Sequence, residues 1–422
     1  MKILYVSQYF PPEMGAPSAR VGELSRHWVR EGHEVTVLTG FPNHPTGKIA
    51  ASYRKKIRGL VMKENADGVR VIRTWLLPLP NQKSVERILN HLSFCISAAI
   101  TGLFLPRADV VIATSPQLLV GISGWWLASL KRVPFVFEVR DLWPESLVAV
   151  GMGDRSSLLY RVLASIAKFL YRKADRIVVV TPAFKDYLME QMHIGAGKIV
   201  VVQNGVETSL FDPVRADRNL KKDLGLEERF VVSYIGTMGL AHGLGKILDT
   251  AAQLQQAHAE IIFLFVGEGS DKEHIISAAT SRKLSNVRFV DEQPRETIPD
   301  YICASDVCLV LLKKSDIFKT VIPTKMLEFM ACARPVILGV EGQARKIVDE
   351  SQAGVFIRPE SADDLSEAVV RLFNDPHLRL ELGRNGRKYI LQHLSRPQTA
   401  RIYIEFLRSI LEGESITESV AA

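Results

Sequence analysis

Short β-branched runs alternate with helical stretches through the first half of the chain: Lys2–Phe10, Glu34–Gly40, Val69–Trp75, Asp109–Thr114, Pro134–Asp141, Arg176–Thr181 and Lys198–Gln203. Runs of this kind separated by helices predict a doubly wound parallel sheet. The second half repeats the scheme with Phe230–Gly236, Glu260–Gly267, Asn286–Asp291, Val307–Leu312, Pro335–Val340 and Ala353–Arg358, which predicts a second α/β sheet. Between the two halves, Glu207–Arg229 is polar, contains Asp212-Pro213 and has no strong periodicity, so it reads as a linker. The segment Pro397–Leu411 reads as an amphipathic helix, with Ile402, Phe406 and Ile410 spaced by four. Two doubly wound domains facing each other would form a cleft at the carboxyl ends of both sheets, where such folds bind ligands, so the residues just after strands are the candidates for chemistry.

Two stretches, Arg87 to Arg107 and Val110 to Leu130, carry no charge between their ends and approach the length that crosses a bilayer. The first holds Asn90, His91, Ser93, Ser97 and Thr101 and ends at Pro106; the second opens with Val110-Val111-Ile112-Ala113 and is broken by Ser115-Pro116. The favoured reading is a buried helix feeding a buried parallel strand, because strands covered on both faces are continuously apolar. Ile88–Leu105 also suits a helix in a membrane interface, with Lys83, Arg87 and Arg107 at its edges meeting anionic head groups.

Composition narrows the classes. The chain has 422 residues, 47% hydrophobic and 23% charged, which is ordinary for a globular protein of two or three domains and excludes a small stapled fold or global disorder. The net charge of +7 is unevenly divided: residues 1–205 carry 26 Lys and Arg against 15 Asp and Glu, leaving residues 206–422 mildly acidic. A basic half points to an anionic partner. Cys95, Cys303, Cys308 and Cys332 form no Cys-x-x-Cys pair, so neither zinc nor a disulfide framework is indicated, and a reducing cytoplasm is expected. Met1–Phe10 reads as a strand and not as a signal core.

After the first strand, Pro11 to Arg20 is a turn-rich loop opening a helix. It lacks a Gly-x-Gly-x-x-Gly fingerprint and a Walker lysine, which disfavours dinucleotide and P-loop chemistry, although Gly15 and Arg20 could still meet an anion. The run Glu138-Val139-Arg140-Asp141-Leu142-Trp143-Pro144-Glu145-Ser146 releases several ionisable groups at the end of a buried strand, where they are costly without partners, and this favours a site. In the second half, Gly236-Thr237-Met238-Gly239 and Gly267-Glu268-Gly269 each lead from a strand toward a helix, which would let backbone approach a phosphate. In Pro323-Thr324-Lys325-Met326-Leu327-Glu328, Lys325 lies in a first helical turn, where a cation opposes the dipole unless an anion is present. Lys325 is thus a candidate phosphate ligand and Glu328 a candidate acceptor for ribose hydroxyls; a surface ion pair between the two is the alternative.

Together, Tyr9–Arg20, His33–Gly40, Asn204-Gly205-Val206, the Gly236 loop and Pro323–Pro335 resemble glycosyltransferase family 4, the retaining sugar transferases of GT-B architecture. Arg140–Ser146 and the Pro-Thr-Lys-x-x-Glu segment are most similar to the branch that builds bacterial surface polysaccharides, including the fucosamine transferase of O-antigen assembly and colanic-acid transferases. The resemblance implies an acceptor-binding Rossmann-like domain over 1–205, a donor-binding one over 206–395, and a final helix, about 396–412, crossing back to the first. It implies a nucleoside-diphosphate sugar donor for a hexosyl or N-acetylaminosugar transfer. Glu328 matches the second glutamate of the Glu-x7-Glu motif; the first falls on Thr320, and Thr237 and His242 stand where the diphosphate loop has Arg and Lys. Lys325 is the proposed substitute cation.

On this reading Asp141, then Glu145, would stand near the acceptor hydroxyl. Lys325 and the N–H groups of Gly236–Gly239 would stabilise the leaving diphosphate, with Gly267 and Glu328 completing the donor site. Gly15 and Arg20 would face the donor phosphates or an acceptor diphosphate, with Arg140 in the same anion and acceptor loop. No metal or other cofactor is expected, and the partners are a nucleotide sugar, a lipid-linked saccharide acceptor and the anionic inner face of the cell membrane, not nucleic acid. A nucleotide-sugar epimerase and an inert nucleotide-sugar-binding scaffold remain the alternatives.

Overall fold

The computed structural model describes the chain apart from residues 14, 44–46, 50, 56–58, 80–83, 150–152, 218 and 414–422. Lys83 therefore lies outside the described residues. The chain divides into one compact unit of Met1–Asn204 together with the segment from Arg396, and a second of Gly205–Ser395.

The first unit carries an eight-stranded sheet: β1 (Lys2–Val6), β2 (Glu34–Gly40), β3 (Val61–Ala66), β4 (Val69–Thr74), β5 (Val110–Thr114), β6 (Phe135–Val139), β7 (Arg176–Val179) and β8 (Ile199–Val201). The order is β3-β4-β2-β1-β5-β6-β7-β8, with every pair parallel except β3–β4. Sequence pattern missed β3 because this edge strand reads Val-Met-Lys-Glu-Asn-Ala and has no buried residue. Asp67 and Gly68, both at positive φ, join it to β4 as a tight antiparallel hairpin. The second unit carries β9 (Phe230–Ile235), β10 (Ile261–Val266), β11 (Val287–Val290), β12 (Val307–Leu311), β13 (Val336–Gly339) and β14 (Gly354–Phe356), all parallel, in the order β11-β10-β9-β12-β13-β14. The central strands are apolar on both sides because helices cover both faces.

Two expectations are corrected. Glu207–Arg229 is not a free linker: Val206, Phe211 and Leu226 are buried in the core of the second unit, so short polar turns hang from apolar anchors. The helix Ser84–Leu103 is not buried all round. Asn90, His91, Phe94 and Ala98 face inward, whereas Val85, Leu89, Leu92, Ile96, Ile100 and Leu103 are exposed. Asn90 is held inside by hydrogen bonds, Gln8 Nε2 donating to its Oδ1 at 2.5 Å and its Nδ2 donating to the Leu77 carbonyl at 2.8 Å, while the backbone carbonyl of His91 accepts from Gln117 Nε2 at 3.0 Å. Among the described residues no helix is long and apolar enough to cross a membrane.

The helix Arg396–Glu412 packs on the helix Ala16–Arg30 of the first unit. Its inward face is Ala400, Tyr403, Ile404, Phe406 and Leu407; Phe406 belongs to the stripe read from spacing, and Ile402 and Ile410 of that stripe are partly buried against the same core. Trp28 Nε1 donates to the Ala400 carbonyl at 3.1 Å, and Arg396 meets Glu23 at 2.8 Å with both side chains shut off from solvent.

Candidate functional site

In the first unit the chemistry gathers at the carboxyl edge of the sheet, where β6 ends. Glu138, fully buried on β6, is a polar hub. It accepts from Tyr5 Oη at 2.6 Å and from Arg20 Nε at 2.9 Å, and this pairing holds its carboxyl below the usual range despite burial. Arg20 spends its remaining donors on the Val202 and Gln203 carbonyls and on Asn204 Oδ1. At 1% exposure it braces β1, β6 and the end of β8, so its assignment to an anion loop is corrected: its side chain points into the sheet, not to the surface.

Arg140 follows on the same strand end. Its guanidinium donates to the Ala16 and Pro17 carbonyls at 2.9 and 3.2 Å, pinning the first turn of the helix that Gly15 opens. Burial, together with the charges of Arg20 and Arg396, lowers its pKa to about 10 even though Glu138 pulls the other way. Gly15 itself is exposed at φ +105. Gly15 and Arg140 therefore come together, with Arg20 behind them.

Asp141 is half-buried, and loss of hydration pushes its carboxyl up to about 6 although Trp143 Nε1 donates to it at 3.2 Å. A carboxylate balanced near neutrality at a strand end can accept a hydrogen bond from a hydroxyl or take its proton. Glu145 is different. Arg155 meets it at 2.8 Å, Tyr160 Oη donates at 2.5 Å and Tyr187 Oη at 3.5 Å, so it is a structural anchor for the following helix, and its expected place second to Asp141 near the acceptor hydroxyl is corrected. From sequence Glu138 reads only as one of several ionisable groups at a strand end; its place inside an otherwise apolar strand is the signal for a buried hub.

In the second unit the site forms where β9 and β10 end. The Gly236 and Gly267 loops pack backbone to backbone: a Cβ on Gly267 would collide with the Gly236 carbonyl, so no side chain fits. The expected N–H cradle at Gly236–Gly239 is corrected in part. The Gly236 N–H donates to the Val266 carbonyl at 2.9 Å and the Met238 N–H to the Glu268 carbonyl at 2.8 Å, so these two groups join the loops to each other. Thr237 is exposed, and its carbonyl accepts from Tyr234 Oη at 2.7 Å. The Gly239 carbonyl accepts the His242 N–H.

Lys325 stands over this floor from the first turn of the helix Thr324–Ala331. Its Nζ lies 3.9 Å from the centroid of the Tyr234 ring and 3.0 Å from where a Cβ on Gly236 would be. The ammonium is shut off from solvent and has no hydrogen-bond partner among the described residues. Burial lowers its pKa to about 7, with only the Glu328 charge pulling upward. A cation without hydrogen-bond acceptors is expensive to bury, and the arrangement would be relieved by an anion. His242, whose ring meets Tyr234, is pushed down to about 3 by burial and by the Lys325 charge, so it is neutral near pH 7.

Glu328 lies one turn on, nearly buried, and accepts from Arg295 Nη1 at 3.0 Å. Arg295, in the loop after β11, stacks over Phe211 at 5.0 Å. Sequence reasoning missed Arg295, although its place just after a strand was the usable signal. Thr320 Oγ1 donates to the Ile317 carbonyl at 2.6 Å. Among the described residues no group of His, Cys, Asp and Glu is placed to hold a metal ion.

Both units match known families. Residues 15–205 match the family model described as a glycosyl transferase 4-like domain, and residues 216–389 match the model for glycosyl transferases group 1. A glycosyl transferase named for colanic acid biosynthesis in Escherichia coli (strain K12) is 23% identical over 97% of this chain and all of its own length. Among solved structures, the sucrose-phosphate synthase of Thermosynechococcus elongatus superposes with a TM-score of 0.74 at 19% identity, covering 98% of this chain and 100% of that one. Anabaena HepE, solved in complex with UDP and glucose, gives a TM-score of 0.72 at 17% identity, covering 97% and 100%.

Proposed function

Because this chain belongs to the glycosyltransferases, with a 4-like domain followed by a group 1 domain on the GT-B architecture, we propose that it moves a sugar from a nucleoside-diphosphate sugar to a polyprenyl-diphosphate-linked saccharide, with retention of configuration, in bacterial surface polysaccharide synthesis. The carrying observation is the Lys325 ammonium, buried against Gly236 and Tyr234 with no hydrogen-bond partner among the described residues. It would bind the donor diphosphate and neutralise the charge that grows as the bond from the anomeric carbon to the diphosphate oxygen breaks. Preorganised charge of this kind acts without reorganisation during the reaction. Glu328, held by Arg295, would accept the ribose hydroxyls, and Gly239 would let the donor approach backbone, while Gly267 lets the two loops that floor the site close on each other. No metal is required in this scheme.

In the first unit Asp141 would accept a hydrogen bond from the acceptor hydroxyl and aim its oxygen at the anomeric carbon, while the departing diphosphate takes the proton. Arg140 and the Gly15 turn would shape the neighbouring wall. The exposed apolar row of the helix Ser84–Leu103 supports peripheral attachment to the anionic inner face of the membrane, where a lipid-linked acceptor resides.

The test is incubation of the full chain with candidate nucleotide sugars and a lipid-diphosphate acceptor. Release of nucleoside diphosphate with an elongated acceptor of unchanged anomeric configuration, read by NMR, is the expected result. Epimerised donor without release would replace this reading by an epimerase, and binding without turnover by a scaffold.

A further inference from the structure

A groove that the donor and acceptor assignments leave unused opens beside Asp141. It lies among the helix Ser84–Leu103, the Trp143–Val148 segment and the start of the helix Leu158–Lys173, and it is open to solvent. Ile88, Trp143, Leu147, Leu159 and Leu163 line it, with Arg87 at its edge. Trp143 belongs to both places: its ring walls the groove while its indole N–H holds the Asp141 carboxylate.

The surroundings identify the occupant. Val85, Leu89 and Leu92 on one bordering helix and Leu158 and Val162 on the other are exposed, so apolar surface continues outward from the groove. Arg87 lies at the groove's edge, and Arg161 stands between Leu159 and Leu163 on the helix Leu158–Lys173. A wholly apolar partner would gain nothing from that charge, and a free sugar would leave most of the apolar wall uncovered. A molecule with a hydrocarbon chain joined to a phosphate gains from both.

We propose that this groove is a binding site for the first isoprene units of a polyprenyl-diphosphate acceptor, with Trp143 joining lipid recognition to the carboxylate that orients the sugar. The inference rests on the acceptor class proposed above and adds where its lipid is read. It also assigns the groove a distinct role from the exposed helix face: the face meets the membrane, and the groove takes one chain out of it.

The probes are farnesyl diphosphate, a soluble isoprenoid diphosphate, and methyl diphosphate, titrated calorimetrically into the full chain. Farnesyl diphosphate should bind at least tenfold more tightly, since seating an apolar chain against these walls supplies that difference. Leu159→Gln should reduce the ratio of the two affinities about tenfold. Leu159 is 39% exposed, so its replacement leaves the core intact; Ile88→Gln on the opposite wall serves as a second variant. Equal affinities in the wild-type chain, or a ratio unmoved by both variants, overturns the proposal. Failure of the acceptor assignment is separable: farnesyl diphosphate bound in the groove by a chain that transfers to no lipid-linked sugar refutes the assigned reaction and leaves the groove standing. Transfer to a lipid-linked sugar that is indifferent to both variants refutes the groove alone.

Discussion

Donor affinity should depend on pH through one group, the buried amine of Lys325. Burial lowers its pKa to about 7, so near neutrality about half of the unliganded chains carry it uncharged. A bound diphosphate favours the ammonium and returns the group toward the ordinary lysine value of about 10.4. Below pH 7 the free and bound proteins are both protonated there and affinity is flat. Above pH 7 the free protein has lost a proton that binding must restore, so the donor Kd rises tenfold per pH unit until the bound-state pKa is reached. Between pH 6 and pH 8.5 the expected weakening is about thirtyfold. The groups facing Lys325 do not imitate this profile: His242 is held at about 3, Tyr234 is pushed well above its ordinary 10 by burial, and the nucleotide sugar diphosphate stays ionised throughout.

Calorimetry with a candidate nucleotide sugar, repeated in buffers of different ionisation enthalpy, measures both the slope and the proton taken up. Uptake should approach one proton per donor at pH 8.5. Lys325→Arg should flatten the profile, because a guanidinium stays charged, and Lys325→Met should flatten it while weakening binding at pH 6. A flat wild-type profile, or an unchanged slope in Lys325→Met, would refute the placement of the diphosphate on Lys325.

On the acceptor side, the carboxyl of Asp141 lies at about 6, so acceptor kcat/KM should fall as pH drops below that value; Asp141→Asn should remove this acidic limb and cost about 100-fold at pH 7.5 through misaimed acceptor, measured by steady-state transfer assays. Glu145→Gln should leave acceptor kcat/KM within about threefold of wild type, because Arg155 and two tyrosines already occupy the carboxylate; a loss comparable to that of Asp141→Asn would restore Glu145 to the site. Arg20→Ala breaks a pair whose side chains are 1% and 0% exposed and should cost about 3–5 kcal/mol, seen as a lower Tm with donor affinity unchanged. Gly236→Ala sets a methyl against Lys325 Nζ at a φ of +128, so it should weaken donor binding by tenfold or more in a thermal-shift titration, with wild-type affinity as the refuting result.

What could be read from sequence followed from periodicity and from position after strands. Thirteen of the fourteen strands are announced by β-branched runs, because burial on both faces demands continuous apolar sequence. Only β3, antiparallel to β4, falls outside that logic, since an edge strand can be polar and still pair. The helix Ser84–Leu103 shows a second limit. Its composition is apolar enough to suggest burial, yet Asn90 turns inward because Gln8 and the Leu77 carbonyl satisfy its amide, which leaves leucines and isoleucines outside. Which face of an apolar helix is covered is decided by partners distant in sequence.

The same distinction separates the site residues. Position after a strand singled out Arg20, Arg140, Asp141 and Glu145 equally, but charge in a fold acts only where it is not already neutralised. Arg20 and Glu145 came with partners that sequence proximity could not reveal, Glu138 across the sheet and Arg155 with two tyrosines, and both are structural for that reason. Asp141 and Lys325 are the opposite case: each is deprived of water, with pKa values of about 6 and about 7 that converge on neutrality from opposite sides. On the proposed donor assignment Lys325 would compensate for the absent cations at Thr237 and His242 by burial instead of by number, since one desolvated ammonium attracts a diphosphate more strongly than an exposed one does. That compensation requires the position opposite Nζ to remain Gly236 and the neighbouring imidazole to stay neutral. The lysine, the glycine and the histidine therefore form one coupled unit, and replacing His242 by a permanent cation should weaken Lys325 as a phosphate ligand by lowering its pKa further.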